Sequence, residues 1–330
     1  MHIAFYSHDV GPCNNNKLVA KEVALRGHTI KIVDPLGNAN LFDPHPDFLV
    51  TGLSSFMNAE EIALGVRAKE MGIPWVILAD THRAWARPPA KGKVSSAYLL
   101  IATPEEIHDA VSFGYDIAKV RYIGGPPKWQ EFRHIKPVEI PGHQSNYKLI
   151  LVGGIKDALL TDRMLELAVN AANSLYPDQW QLIFKPHPAE EDSFQDTARR
   201  NSILQRANAI STPEGSTSLL ASVSLSIFTG GATDTIAAAH LRRPTIFYED
   251  KYVRARNEKQ LGEPIWYPAE SGACAKATPD NIINVMHRLL TPEGAAELRK
   301  HQEKIYPLKP QAERIETQIV KFFESPGDSA

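Results

Sequence analysis

A chain of 330 residues, 43% hydrophobic and 22% charged, has the composition of folded globular material and the length of two domains, each able to bury its own core. A formal net charge of -2 excludes a global field that would draw the protein to nucleic acid or to an anionic membrane, so small or neutral partners are expected. Cys13 and Cys274 stand far apart without CxxC spacing, which argues against zinc and against a disulfide framework and for a reducing, cytoplasmic setting.

The N-terminal run Met1-His2-Ile3-Ala4-Phe5-Tyr6 is too short for a signal peptide, and no apolar stretch reaches the roughly 18 residues of a transmembrane segment. The chain opens with a strand at 3–6, a turn-rich loop at 7–16, a helix at 17–26 closed by Gly27, and a second strand at 29–33. Strand 48–51, helix 59–71, strands 75–78 and 97–102, helix 104–113 and strand 120–123 continue the pattern. Helices alternating with short apolar strands predict a parallel, doubly wound sheet with right-handed crossovers. Residues 126–147 carry Pro126, Pro127, Pro137, Pro141 and Gly142 among polar residues, the composition of a linker.

A second βα series follows. It comprises strand 149–152, helix 162–175, strand 181–184, helix 193–201, strand 209–211, helix 216–222, strand 225–228, helix 233–240, strand 245–247 and helix 279–290. A last helix spans 311–323. The expectation is an α/β protein of two Rossmann-like domains facing across a cleft, an N-terminal one at 1–140 and a C-terminal one at 141–308. A terminal helix within 309–330 is expected to pack back on the first domain.

Open α/β sheets bind ligands beyond the carboxyl ends of their strands, so the loops there are the candidates. In Lys185-Pro186-His187-Pro188 two prolines remove backbone donors around one imidazole and one ammonium, a pair suited to a diphosphate. A rigid surface turn explains it equally. Thr229-Gly230-Gly231-Ala232-Thr233-Asp234 leads from an apolar strand into a helix, where glycines let amides approach an anion. The alternative is a plain connection with Thr233 or Asp234 as cap. Gly153-Gly154 ends the first strand of the second series, with Lys156 to supply charge, or simply turns the chain.

In the N-terminal half, His8 and Asp9 follow the first strand, and Asp80 follows the strand at 75–78, just before His82 and Arg83. A histidine and a carboxylate at such an edge can take the proton of an acceptor hydroxyl. Asp80 can also cap a helix or pair with Arg83.

A GxGxxG fingerprint is missing after the first strand, where Asn14-Asn15-Asn16 stands instead, which argues against nicotinamide and flavin. No GxxxxGK[ST] segment occurs, and no HExxH or DxD-type spacing supports a metal. Neither a cofactor nor a metal is expected.

Through Lys185-Pro186-His187-Pro188, Thr229-Gly230-Gly231-Ala232-Thr233 and Arg243-Pro244-Thr245-Ile246-Phe247-Tyr248-Glu249-Asp250, residues 148–260 resemble the donor domain of GT-B glycosyltransferases. The likeness is strongest to the CDP-glycerol glycerophosphotransferase, polysialyltransferase and capsule-polysaccharide transferase group. It implies that His187, Thr229, Gly230, Gly231 and Thr233 hold the donor phosphates. The N-terminal half resembles the acceptor domain of the peptidoglycan N-acetylglucosaminyltransferase type, through residues 7–11 and Leu25-Arg26-Gly27-His28. It departs from that type at Asn14, Asn15 and Asn16, where small residues are usual. Ala237 stands where the family's ribose-binding glutamate falls, which leaves Asp234 as its substitute and favours a cytidine donor over uridine.

The resemblance implies a metal-independent transferase in surface polysaccharide or glycoconjugate synthesis. Its substrates would be a CMP/CDP- or UDP-type nucleotide-sugar donor and a hydroxyl-bearing acceptor. The alternatives are a UDP-N-acetylglucosamine 2-epimerase, whose early Arg-Pro-Glu segment is not found here, a nucleotide-sugar hydrolase, and a non-catalytic binding protein of the same fold.

Overall fold

A computed structural model describes residues 1–33, 40–54, 58–87, 90, 92–187, 194–307 and 313–326. Pro188, Ser193 and Gln311, which the sequence reading uses, lie outside the described residues. The chain forms two compact units, one of Met1–Glu131 with Gln260–Gly262 and Pro310–Ala330, the other of Phe132–Lys259 with Glu263–Lys309.

The strands of the first unit are β1 (His2–Tyr6), β2 (Thr29–Val33), β3 (Phe48–Thr51), β4 (Trp75–Leu78), β5 (Tyr98–Ile101) and β6 (Val120–Tyr122). Its helices are α1 (Val10–Leu25), α2 (Asn58–Glu70), α3 (Ile107–Phe113) and α4 (Lys128–Phe132), the last running just past the unit boundary. The sheet is wholly parallel in the order β2-β1-β3-β4-β5-β6, with Phe5 opposite both Ile32 and Val50. Every residue of β3 and β4 is buried, as expected where helices cover both faces.

Side-chain alternation divides this core into two layers. Leu49, Trp75, Ile77 and Leu99 face one way, with Ile62 of α2. Ile3, Phe5, Val50, Val76 and Leu100 face the other, with Val19 and Val23 of α1 and Ile319, Val320, Phe322 and Phe323 of the C-terminal helix Ile315–Glu324. Arg26 and His28 hold that helix through Glu324 at 2.9 Å each.

The second unit contains β7 (Lys148–Gly153), β8 (Trp180–Lys185), β9 (Leu225–Thr229), β10 (Thr245–Tyr248) and β11 (Ala275–Ala277). They form a parallel sheet in the order β11-β10-β9-β7-β8. Its helices are α5 (Ala158–Leu175), α6 (Phe194–Gln205), α7 (Ser216–Leu219), α8 (Asp234–His240), α9 (Lys251–Leu261, its last two residues counted with the first unit), α10 (Tyr267–Glu270), α11 (Ile282–Leu289) and α12 (Pro292–Ile305). A buried ion pair, Arg200 Nε to Asp162 Oδ1 at 2.7 Å, links α6 to α5, and the Arg200 guanidinium lies 5.1 Å from the Phe184 ring centroid.

Three sequence expectations need correction, and a fourth gains detail. The loop expected at 7–16 is mostly helix, because α1 starts at Val10. Pro12 falls in the first turn, where no backbone donor is needed. The asparagines satisfy backbone and side chains instead of turning the chain: Asn15 Nδ2 donates to the Gly11 carbonyl at 3.3 Å and Asn16 Nδ2 to Ser7 Oγ at 2.6 Å. The stretch expected as a linker holds the boundary between the units, after Glu131, while Trp129, Phe132 and Ile140 within it are buried. The strand expected at 209–211 is a single bridge from Ala209 to Leu182. Finally, α9, α10, β11 and α12 fill a region where only helix 279–290 was expected.

Candidate functional site

In each sheet the chain reverses its winding direction once, between β1 and β3 in the first unit and between β7 and β9 in the second. Loops leaving the carboxyl ends of such strand pairs diverge and open a crevice. The sequence candidates fall on these two edges.

In the second unit, Gly153 ends β7. A Cβ there would lie 2.3 Å from the Phe228 ring, so close packing of β7 on β9 requires the glycine. The Gly154 amide donates to the Lys185 carbonyl at 2.7 Å, and Asp157 caps α5 by accepting from the Leu160 amide at 3.0 Å. Lys156 between them is exposed. Lys185 directs its ammonium to the Thr212 carbonyl. Thr229 is fully buried and its hydroxyl donates to the Tyr248 carbonyl at 2.8 Å. The glycine pair and these two side chains therefore hold the β7, β8, β9 and β10 ends in register.

The groups that remain for a ligand gather around them. Gly230 adopts φ +61°, a backbone conformation that glycine takes without strain, and a Cβ there would lie 2.7 Å from Arg256 Nη1. The Gly231, Ala232 and Thr233 amides have no hydrogen-bond partner among the described residues. Arg256, on α9, makes no hydrogen bond or ion pair with any described residue. Burial holds its guanidinium pKa below the ordinary range, with the Asp157 charge acting the other way. His187 stands exposed in the same field. Partial desolvation first, then the Arg256 and Lys156 charges, lower its pKa, and Asp234 opposes them. The imidazole is therefore neutral at pH 7.

Asp234 accepts from Ser216 Oγ at 2.7 Å and from the Thr217 hydroxyl, tying α7 to the start of α8. Thr233 precedes α8 without a side-chain cap bond. Two cations, a neutral imidazole and three open amides on one sheet edge favour an anion with several oxygens. Arg256 escaped the sequence reading because it lies in a charged stretch without motif spacing. Its one signal is a position shortly after an apolar strand.

In the first unit, Ser7 Oγ donates to the Tyr6 carbonyl and accepts from Asn16 Nδ2 and from the Gly52 amide at 3.1 Å. His8 and Asp9 follow, and their amides donate to Ser54 Oγ at 3.2 and 2.9 Å. The His8 imidazole makes no hydrogen bond or ion pair with a described residue, so it forms no couple with Asp9 or Asp80. Glu61 of α2, which the sequence reading missed, is fully buried beneath this loop. It accepts from the Ser54 amide at 2.6 Å, from Ser54 Oγ at 2.7 Å and from the His8 amide at 3.1 Å. Burial lifts its pKa from 4.5 to about 7, against the pull of those bonds and of Arg87.

Asp80 follows β4 and is almost wholly enclosed. Burial raises its pKa, the Asp9 charge adds to that, and Arg87, 3.4 Å away, and Lys128 oppose it. Asp80 Oδ1 has no hydrogen-bond partner among the described residues. A Cβ on Gly11 would lie 2.8 Å from Asp80 Oδ2, so α1 begins directly over this carboxylate. Arg83 pairs instead with Asp109, at 3.6 Å.

The histidine–carboxylate couple that does form is His82 Nδ1 with Glu106 Oε1 at 3.2 Å, closed off from solvent. Glu106 also accepts from the Arg83 amide and Trp85 Nε1, and these bonds with His82 overcome its desolvation and lower its pKa. Among the described residues no three His, Cys, Asp or Glu side chains converge as a metal set, and no helix is long and apolar enough to cross a membrane.

No sequence family and no curated protein matches the chain. Solved structures do. The MnaA–UDP complex of S. aureus superposes with a TM-score of 0.67 at 10% identity, over 98% of this chain and 96% of that one. UDP-GlcNAc 2-epimerase from Neisseria meningitidis bound to UDP-GlcNAc gives 0.61 at 12%, over 92% and 98%. MurG of Acinetobacter baumannii gives 0.60 at 13%, over 98% and 99%. The fold is thus the α/β GT-B type, with two Rossmann-like units.

Proposed function

We propose that this chain is a metal-independent glycosyltransferase that takes its sugar from a nucleotide-activated donor and passes it to a hydroxyl of a growing glycoconjugate. One observation carries the reading: Arg256, a largely buried guanidinium with no ion-pair partner among the described residues, lies against Gly230 at the β7–β9 edge, in one field with Lys156 and His187. Such a guanidinium, partly withdrawn from water with the Asp157 charge as its only opposing influence among the described residues, gains when a ligand supplies negative charge. A nucleoside diphosphate does so. As the donor C–O bond breaks, negative charge grows on the departing phosphate. Arg256, Lys156 and the amides of residues 231–233 would stabilise it, and neutral His187 would donate one N–H. Asp80, an enclosed carboxylate of raised pKa paired with Arg87 at the strand ends of the first unit, is the group suited to take the acceptor proton.

The epimerase reading is the second, favoured by two buried carboxylates of raised pKa, Glu61 and Asp80, in one unit. Proton chemistry at a sugar carbon uses more than one such group. Incubation with UDP-N-acetylglucosamine, without acceptor and in EDTA, followed by proton NMR, separates them. A transferase leaves the donor intact until a hydroxyl acceptor is added. Inversion at C2 or cleavage in the acceptor-free sample contradicts the transferase reading, and loss of transfer in EDTA contradicts its independence of metal.

A further inference from the structure

The first unit carries a groove of about 330 Å³ between α1 and α4, lined by Asn14, Lys17, Leu18, Lys21, Lys128 and Glu131. Asn14, Lys17 and Lys21 fall on one face of α1, three and four residues apart. Three of six lining residues are lysines in a protein whose formal net charge is -2, and the one acid leaves the lining at net +2. Lys17 and Lys21 form a like-charge pair at i, i+4, which weakens a helix. Neither meets an acid among the described residues. The nearby Glu22 is engaged elsewhere, with Arg26 and the Thr317 hydroxyl.

Lys128 links the groove to the Asp80 edge. The Lys128 amide donates to Asn15 Oδ1 at 3.0 Å, which fixes the start of α4 against α1. The first turn of α1 closes over the Asp80 carboxylate, which feels the Lys128 charge. An anion held by these lysines would therefore lie on the α1 side of the first sheet, within the electrostatic reach of Asp80 through Lys128.

We propose that this groove binds a phosphate group carried by the acceptor, so that the acceptor is a phosphorylated hydroxyl compound. This rests on the transferase reading for the word acceptor, while the groove's affinity for phosphate stands without it. Lysine ammoniums suit a phosphate as point charges, and Leu18 gives the groove an apolar side for the rest of the molecule. An anionic membrane is the less favoured occupant, because three lysines fall short of the roughly four to eight basic residues such surfaces present. Val10 and Leu25, exposed at the two ends of α1, lie outside the lining.

The test is amide NMR of the full chain titrated with glucose 6-phosphate, with glucose and phosphatidylglycerol vesicles as separate arms and UDP in parallel. Glucose 6-phosphate is expected to shift Asn14, Lys17, Leu18 and Lys21. In the variant Lys17→Ala/Lys21→Ala its Kd should rise at least tenfold, with UDP affinity unchanged. Equal shifts from glucose, equal affinity in the variant, or a response to vesicles alone would overturn the proposal. If UDP fails to bind while glucose 6-phosphate binds through the lysines, the donor reading falls and the groove stands. If UDP binds and glucose 6-phosphate does not, the groove alone falls.

Discussion

Replacing Glu61 by glutamine separates its charge from its shape. Folding raises the Glu61 pKa from 4.5 to about 7. A carboxyl whose pKa rises on folding binds its proton more tightly in the native state, so its contribution to stability is greatest below pH 4.5. That contribution is lost as pH climbs towards 7, and the curve is flat above. At about 1.4 kcal/mol per pKa unit, the change between pH 5 and pH 8 is about 2–3 kcal/mol. Glutamine cannot titrate. One oxygen can still accept from the Ser54 amide, but its NH2 meets the donors that served the other oxygen, which costs about 1–3 kcal/mol. Glu61→Gln should therefore be clearly less stable than the wild type at pH 5 and close to it at pH 8. Urea unfolding of both proteins at each pH measures the gap, with every other group cancelling in the comparison. A gap that stays constant across this range would refute the raised pKa of buried Glu61.

Gly230→Ala places a methyl group 2.7 Å from Arg256 Nη1 at φ +61°, so a strain of about 1–2 kcal/mol and a displaced guanidinium are expected. Calorimetry should show weakened nucleotide binding, and thermal unfolding a lower Tm. Asp162→Ala removes the buried charge-assisted hydrogen bond from Arg200 Nε and should destabilise the second unit by about 1.5–3 kcal/mol, read by denaturant unfolding. His187 has a pKa below 6.5, so nucleotide affinity should strengthen as pH falls through that lowered value and the ring gains charge. His187→Gln should flatten that dependence in calorimetric titrations from pH 5 to 8.

The two-unit α/β architecture was legible because buried parallel strands are short, apolar and separated by helical periods, as in the wholly buried Phe48–Thr51 and Trp75–Leu78. Local composition misled where tertiary contacts decide. Asn15 and Asn16 look like turn formers, but inside α1 their amides find Gly11 and Ser7. The helix Lys251–Leu261 is largely polar and gave no apolar stripe, and the strand Ala275–Ala277 contains two buried alanines, which carry no strand preference.

The same division runs through the candidate site. The glycine turns lie at the predicted strand ends, yet several of their groups serve the protein itself, such as the Gly154 amide and the Thr229 hydroxyl. Arg256 and Glu61 lacked motif spacing because each acts from a helix, and only packing brings it to the edge. Asp80 is the opposite case: its place directly after Trp75–Leu78 marked it in the sequence, and burial then tuned it.

The most direct test of the donor site is calorimetric titration of UDP and CDP into the wild type and into Arg256→Ala. Binding by the wild type, weakened roughly tenfold to a hundredfold in the variant, is the expected result, equivalent to the loss of one charge-assisted contact of about 1.5–3 kcal/mol. Equal affinity in both proteins, or no heat with either nucleotide, would contradict a diphosphate site at the β7–β9 edge.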